Sequence, residues 1–302
     1  MPRSTILVGL LCCAALLPLA AAKPEETRLA SGAEAPAYAW SPAPHAQPLD
    51  QHIPPPDGFV RVNLTAGTFG AWLRQLPTKP PASLVHLFDG RLKANQAVHA
   101  AVLDIDVGNR DLQQCADAAI RLRAEYLWSS GKKEAICFHF TSGHLVAWQD
   151  WATGLRPLVD GRHVVFKTRA AADAGYANFR RYLDALFMYA GTRSLKKELK
   201  PVPVQDPISP GDVFIQAGSP GHAVIVLDAA FHPRTQQRVV LLGQSFMPAQ
   251  EIHVLKVLGP TSPWLPDDAG GATNRTIETP EWRFTRSDLR RFEAAASCRA
   301  QP

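Results

Sequence analysis

Sulfur is scarce in this chain. Its 302 residues include five cysteines and three methionines. Two of the cysteines, Cys12 and Cys13, stand in an apolar leader. The other three, Cys115, Cys137 and Cys298, are too sparse for the disulfide scaffold of a small secreted domain. Because they are odd in number, at least one is free or pairs outside the chain. Past residue 22 no apolar run approaches the roughly 20 residues that a membrane span needs. The chain has no Gly-rich phosphate loop, no HExxH pair and no internal repeat, which argues against P-loop, zincin and solenoid architectures. It also has no run of Lys and Arg resembling a nucleic-acid stripe, so nucleic acid is not expected as a partner.

What is present is ordinary globular composition, 46% hydrophobic and 20% charged, with enough length for a real core. Arg3, the apolar stretch Ile6 to Leu19 and the small residues Ala20-Ala21-Ala22 form a secretory signal peptide over residues 1–22. An uncleaved anchor helix is the alternative, though the stretch is short for a span. Leu10-Leu11 before Cys12 lacks the small residue of a lipoprotein signal. The expected destination is periplasmic or secreted, with no stable membrane span once the signal is cleaved. Loss of Arg3 leaves 31 basic against 27 acidic residues, a net of +4. Residues 23–57, with Pro36, Pro42, Pro44, Pro48 and Pro54-Pro55-Pro56, read as an extended, disordered tether. A single folded domain is expected over 58–302.

Within that domain Thr68 caps a short helix stopped by Pro77, and Asp89-Gly90 marks a hairpin turn. Asp111 to Ser130 reads as the clearest helix, with Asp111 and Gln114 as a capping box and Gly131 as its stop. Tyr176 to Ala190 reads as a second, burying Phe179, Leu183, Leu186 and Phe187 on one face. Ser287 to Ala296 reads as a terminal helix. Between these lies the segment Ile208 to Leu255. It carries three short Val/Ile/Leu-rich runs, Val213–Ile215, Ala223–Leu227 and Val239–Leu242, each bounded by turn residues, as consecutive antiparallel strands are. Ile252 to Leu258 is a possible fourth. Helices mostly precede the strand block, which argues an α+β fold with helices packed on an antiparallel sheet.

The chemistry gathers around that sheet. His222 opens the second run and Gln244 closes the third, so the two can lie side by side, with the amide fixing the imidazole tautomer. Alternation puts His222, Val224, Val226 and Asp228 on one face. The candidate nucleophile is Cys115, 107 residues upstream, where a helix N-terminus and a nearby histidine would favour the thiolate. Its bland reading is a small buried hydrophobe. Arg110, Asp111 and Ser245 are candidate substrate-binding residues. An ion pair fixing the loop accounts for Arg110 and Asp111 equally well. Neither His222, Asp228 and His232 nor His139 and His144 have zinc spacing, so no metal and no cofactor is expected.

The order of helix-Cys, strand-His and next-strand amide resembles the papain-like core of exported NlpC/P60 and CHAP cell-wall hydrolases. Gly211-Asp212-Val213-Phe214 and Gly221-His222-Ala223-Val224 carry that resemblance. It implies a papain-like fold and a Cys115-His222-Gln244 triad acting on cell-wall peptide or another envelope polymer. The chain from Gly58 to Phe292 is also similar to a bacterial family, the domain of unknown function 4846. That likeness rests on the string from Asp89 to Leu127, Phe140-Thr141-Ser142-Gly143, the strand block and the string from Gln244 to Leu255. The expectation is an exported cysteine peptidase or amidase. Its rival is a non-catalytic envelope binding or structural module with Cys115 buried.

Overall fold

The three Val/Ile/Leu-rich runs form the centre of one antiparallel sheet. The computed structural model describes residues 1–2, 38–267 and 276–298. Cys12, Cys13, most of the expected signal segment and the first part of the expected tether lie outside the described residues. In chain order come strand β1 (Val60–Arg61), helix α1 (Phe69–Arg74), strand β2 (His99–Val102), helix α2 (Cys115–Ser129), helix α3 (Tyr176–Phe187) and helix α4 (Thr192–Glu198). Strands β3 (Asp212–Gln216), β4 (His222–Phe231), β5 (Arg238–Gln244), β6 (His253–Leu255) and β7 (Leu289–Arg291) follow. Across the sheet the order is β2-β6-β5-β4-β3-β7, with Lys200–Pro201 beyond β7. Each pairing is antiparallel. The chain is therefore mixed in helix and strand, with helices and open antiparallel sheets.

Alternation sorts the central strands onto two faces. Val213, Ile215, Ala223, Ile225 and Leu241 enter the larger core, together with residues of α1, α2 and α3. Phe214, Val224, Val226, Val240 and Leu242 enter a smaller core with Ile277, Phe284 and Leu289. Helix α3 buries Phe179, Leu183, Leu186 and Phe187, as its periodicity expects.

A bulge in β4 between Val226 and Asp228 breaks the alternation. Asp228 therefore does not share a face with His222. It turns to the larger core, where Arg61 Nε donates to its Oδ2 at 2.7 Å and Arg74 Nε to its Oδ1 at 2.8 Å. Other departures also have local causes. Residues 38–57 are not a tether: Tyr38 and Trp40 pack on Trp72, and Leu49, in a short helix Leu49–His52, is wholly buried. The apolar anchors outweigh the prolines between them. Ser287 to Ala296 is not a helix. Leu289–Arg291 pairs instead with the open edge of β3, and Arg291 forks onto Asp212 with contacts of 2.6 and 2.8 Å. Cys137 and Cys298 form a disulfide, leaving Cys115 free.

Candidate active site

Cys115 is the first helical residue of α2, three residues nearer the helix start than a cap at Asp111 implies. Asp111 does not cap, because its Oδ1 accepts the Ala249 N–H at 2.7 Å and so ties the leader of α2 to the loop after β5. Gln114 takes the cap position, its N–H donating to Asp117 Oδ2 at 3.1 Å. N–H groups of Ala223, Ala116 and Cys115 itself bear on the sulfur and favour its charged form, but burial and then the Asp117 carboxyl outweigh them. The thiol is pushed up to about 11. Burial likewise pushes Asp117 up to about 8.

Ala223, whose N–H is one of those that favour the charged sulfur, directly follows His222. The imidazole stands at the end of the sheet, where His222 pairs with Gln216, the last residue of β3. Gly221 just before it has no room for a side chain: a Cβ there would lie 2.6 Å from Thr192 Oγ1 and 2.8 Å from Gly218 N. Phe246, Trp282 and Phe284 surround the ring, with centroids at 4.8, 5.2 and 5.9 Å.

The structure joins His222 and Gln244 as the strand order implies. His222 Nε2 and Gln244 Oε1 are 2.8 Å apart. Behind them the amide nitrogen of Gln244 donates to Glu281 Oε2 at 2.6 Å, and Lys93 Nζ holds Glu281 Oε1 at 2.7 Å. A carboxylate only accepts, so the Gln244 nitrogen must face Glu281 and its oxygen must face His222. His222 then carries its proton on Nε2, leaving Nδ1 as the ring's basic nitrogen. His253 Nδ1 donates to the Glu251 carbonyl at 2.9 Å, so its Nε2 is free to accept the second Gln244 N–H at 3.4 Å. Both rings are neutral in this arrangement. Burial pushes His222 down to about 4, against the Gln244 bond and the Glu281 charge, and pushes His253 down to about 3.

The remaining candidates divide. Ser245 is fully buried, its hydroxyl 2.9 Å from the Gln113 carbonyl and 2.7 Å from that of Gln250. Asp111, at an exposed position, and Ser245, in the core, thus stitch the leader of α2 to the end of β5 and the loop after it. Arg110 is exposed and reaches Met188 Sδ at 3.7 Å. Cys115 is not hydrogen-bonded to His222 among the described residues.

The family model described as Domain of unknown function (4846) matches residues 49–291. The chain belongs to that family. No curated protein and no solved structure matches it. Three members of the site in this DUF4846 chain escape a reading of the sequence: Lys93, Glu281 and His253. His253 had a signal, since it lies on the strand after Gln244. Lys93 and Glu281 had none, because they come from loops 188 residues apart that meet only in the fold. Among the described residues no group of three or more His, Cys, Asp or Glu is arranged to hold a metal ion, and no helix is long and apolar enough to cross a membrane.

Proposed function

We propose that this protein is an exported cysteine hydrolase, a peptidase or amidase with a papain-like core. One observation carries the reading. The Nε2 of His222 is held by the Gln244 amide oxygen at 2.8 Å, and a free cysteine opens α2, the helix that packs on the strand His222 begins. In that role Nδ1 of His222 takes the thiol proton as Sγ bonds to the substrate carbonyl carbon. The C–N bond then breaks, with His222 returning the proton to the leaving amine. Water attacks the thioester, passes its proton to His222, and Sγ leaves as the thiol after taking it back. On this reading the backbone N–H of Cys115, at the start of α2, stabilises the oxyanion. With the thiol near 11 and the imidazole near 4, the resting pair is neutral, so proton transfer accompanies attack instead of preceding it.

The Cys137–Cys298 bond fits an oxidising, exported setting, where peptide and amide bonds of cell-wall peptide or another envelope polymer are the substrates at hand. A second reading, a non-catalytic envelope module, rests on the partial burial of Cys115 and the lack of a hydrogen bond to His222 among the described residues.

Alkylation with iodoacetamide separates them, because the disulfide leaves Cys115 as the reactive thiol of the folded domain. For the hydrolase, native Cys115 labels near neutral pH and His222→Ala slows it by about tenfold or more, with Gln244→Ala intermediate. Labelling that begins only near the thiol's own pKa, and that ignores His222→Ala, identifies the module.

A further inference from the structure

Beside the His222 end of the sheet lies a cavity of about 680 Å³, within the usual range for a small-molecule site. Four cations line it: Arg162 from the turn of the hairpin Leu155–Asp160/His163–Thr168, and Arg193, Lys196 and Lys197 from α4. Among the described residues no carboxylate lines it. An ion pair of one of the cations is long, with Lys196 Nζ 4.0 Å from Asp288 Oδ1. Glu198 on the same helix is already engaged with the N–H of His139 at 2.5 Å. The floor is apolar, with Phe140 and Tyr189 packed at 5.0 Å between ring centroids. Like charges gathered around a cavity repel one another, and an anion seated there relieves that repulsion.

We propose that this cavity binds a carboxylate-bearing peptide. Several spaced cations over an aromatic floor suit a chain with acidic side chains and apolar backbone stretches better than a compact phosphate. The cavity adjoins the histidine strand. Ala217 is part of its wall and follows Gln216, the register partner of His222. The Gly218 N–H reaches Thr192 Oγ1 of α4 at 3.5 Å. A peptide held by α4 would therefore extend toward His222. That extension rests on the hydrolase reading; the anion site itself does not.

The test measures binding, not turnover. Triglutamate is titrated against the wild-type chain by calorimetry. Added salt is expected to weaken its binding, and Arg193→Glu/Lys197→Glu, two exposed positions, to weaken it by roughly tenfold or more. Arg234→Glu, at the opposite end of β4, is expected to leave it unchanged. Absence of triglutamate binding, or an equal loss in Arg234→Glu, would overturn the site. Tighter binding of tripolyphosphate, lost in the same double variant, would overturn the assignment to a peptide. Because no step requires Cys115, failure of the hydrolase reading leaves this result standing.

Discussion

The side-chain oxygen of Gln244 accepts a 2.8 Å hydrogen bond from Nε2 of His222, and the direction of that bond is set from the far side of the amide. Glu281 can only accept, so it turns the amide nitrogen toward itself and the oxygen toward the ring. The orientation of a candidate catalytic histidine thus depends on a loop glutamate 59 residues further along the chain, held in turn by Lys93.

Removing Glu281 should be costly for a reason unrelated to activity. Lys93 is only 6% exposed, and Glu281→Ala strands its charge. Breaking one side of a buried pair costs about 3–5 kcal/mol. Removing both, in Glu281→Ala/Lys93→Met, should recover much of that. Urea unfolding measures both variants; a single-variant loss below about 0.5 kcal/mol, the scale of an ordinary surface change, would show the pair to be solvated. In the same variants, nitrogen chemical shifts of His222 should move from the Nε2–H tautomer toward a mixture.

Asp117 should make the protein less stable as pH rises. Burial pushes its carboxyl up to about 8 in the fold, from an ordinary 3.8. Above about pH 4 the unfolded chain releases this proton while the folded chain keeps it, so stability falls between those two values and levels off above the higher one. Asp117→Asn keeps an oxygen for the Gln114 N–H and removes the titration. Its advantage over wild type should grow by about 1.4 kcal/mol per pH unit across that window. The Cys115 thiol should titrate lower in the variant, since Asp117 is the second cause of its elevation. A pH-independent difference would place Asp117 in water.

How far the sequence could be read depends on the range of each interaction. The β3–β4–β5 block was legible because Val/Ile/Leu runs and turn residues are local signals, and the His222–Gln244 contact followed from strand order alone. Helix α2 was legible as an element, but its start was not, because Asp111 is claimed by Ala249, a contact across 138 residues. The position of Asp228 was lost to a single bulge. The packing of Tyr38, Trp40 and Leu49 was lost to the prolines around them. Leu289–Arg291 became a strand because β3 offered it a free edge, which no local pattern announces.

Reduction should loosen the C-terminus. The Cys137–Cys298 bond closes a loop spanning 161 residues, and the tail it anchors packs Phe292 against Phe69 and Arg123. Cross-links of this kind contribute about 2–5 kcal/mol. Cys298→Ser, or wild type with reductant, should lower the unfolding midpoint accordingly. Hydrogen exchange should rise at Leu289 to Phe292 before it rises in β4. Uniform exchange across the sheet would mean that β7 unfolds only with the rest.

The two buried histidines should set an acid limit. Burial pushes His222 and His253 down to about 4 and about 3 in the fold, from the ordinary 6.5 of a histidine. As pH falls below about 6.5 the unfolded chain takes up protons that the folded chain refuses. Stability supplied by the neutral rings is therefore complete above that pH and is lost progressively down to each folded value. Over the window from about pH 6.5 to 4 the loss approaches roughly 3 kcal/mol for each ring. Nitrogen-detected titration resolves the two rings directly. Both should keep their neutral signatures at pH 5, and Gln244→Ala should lower His222 further, because the Gln244 bond is the main influence raising it. A His222 ring that titrates near 6.5 in the native protein would mean that water reaches it, and the closed aromatic cage of Phe246, Trp282 and Phe284 would then be wrong.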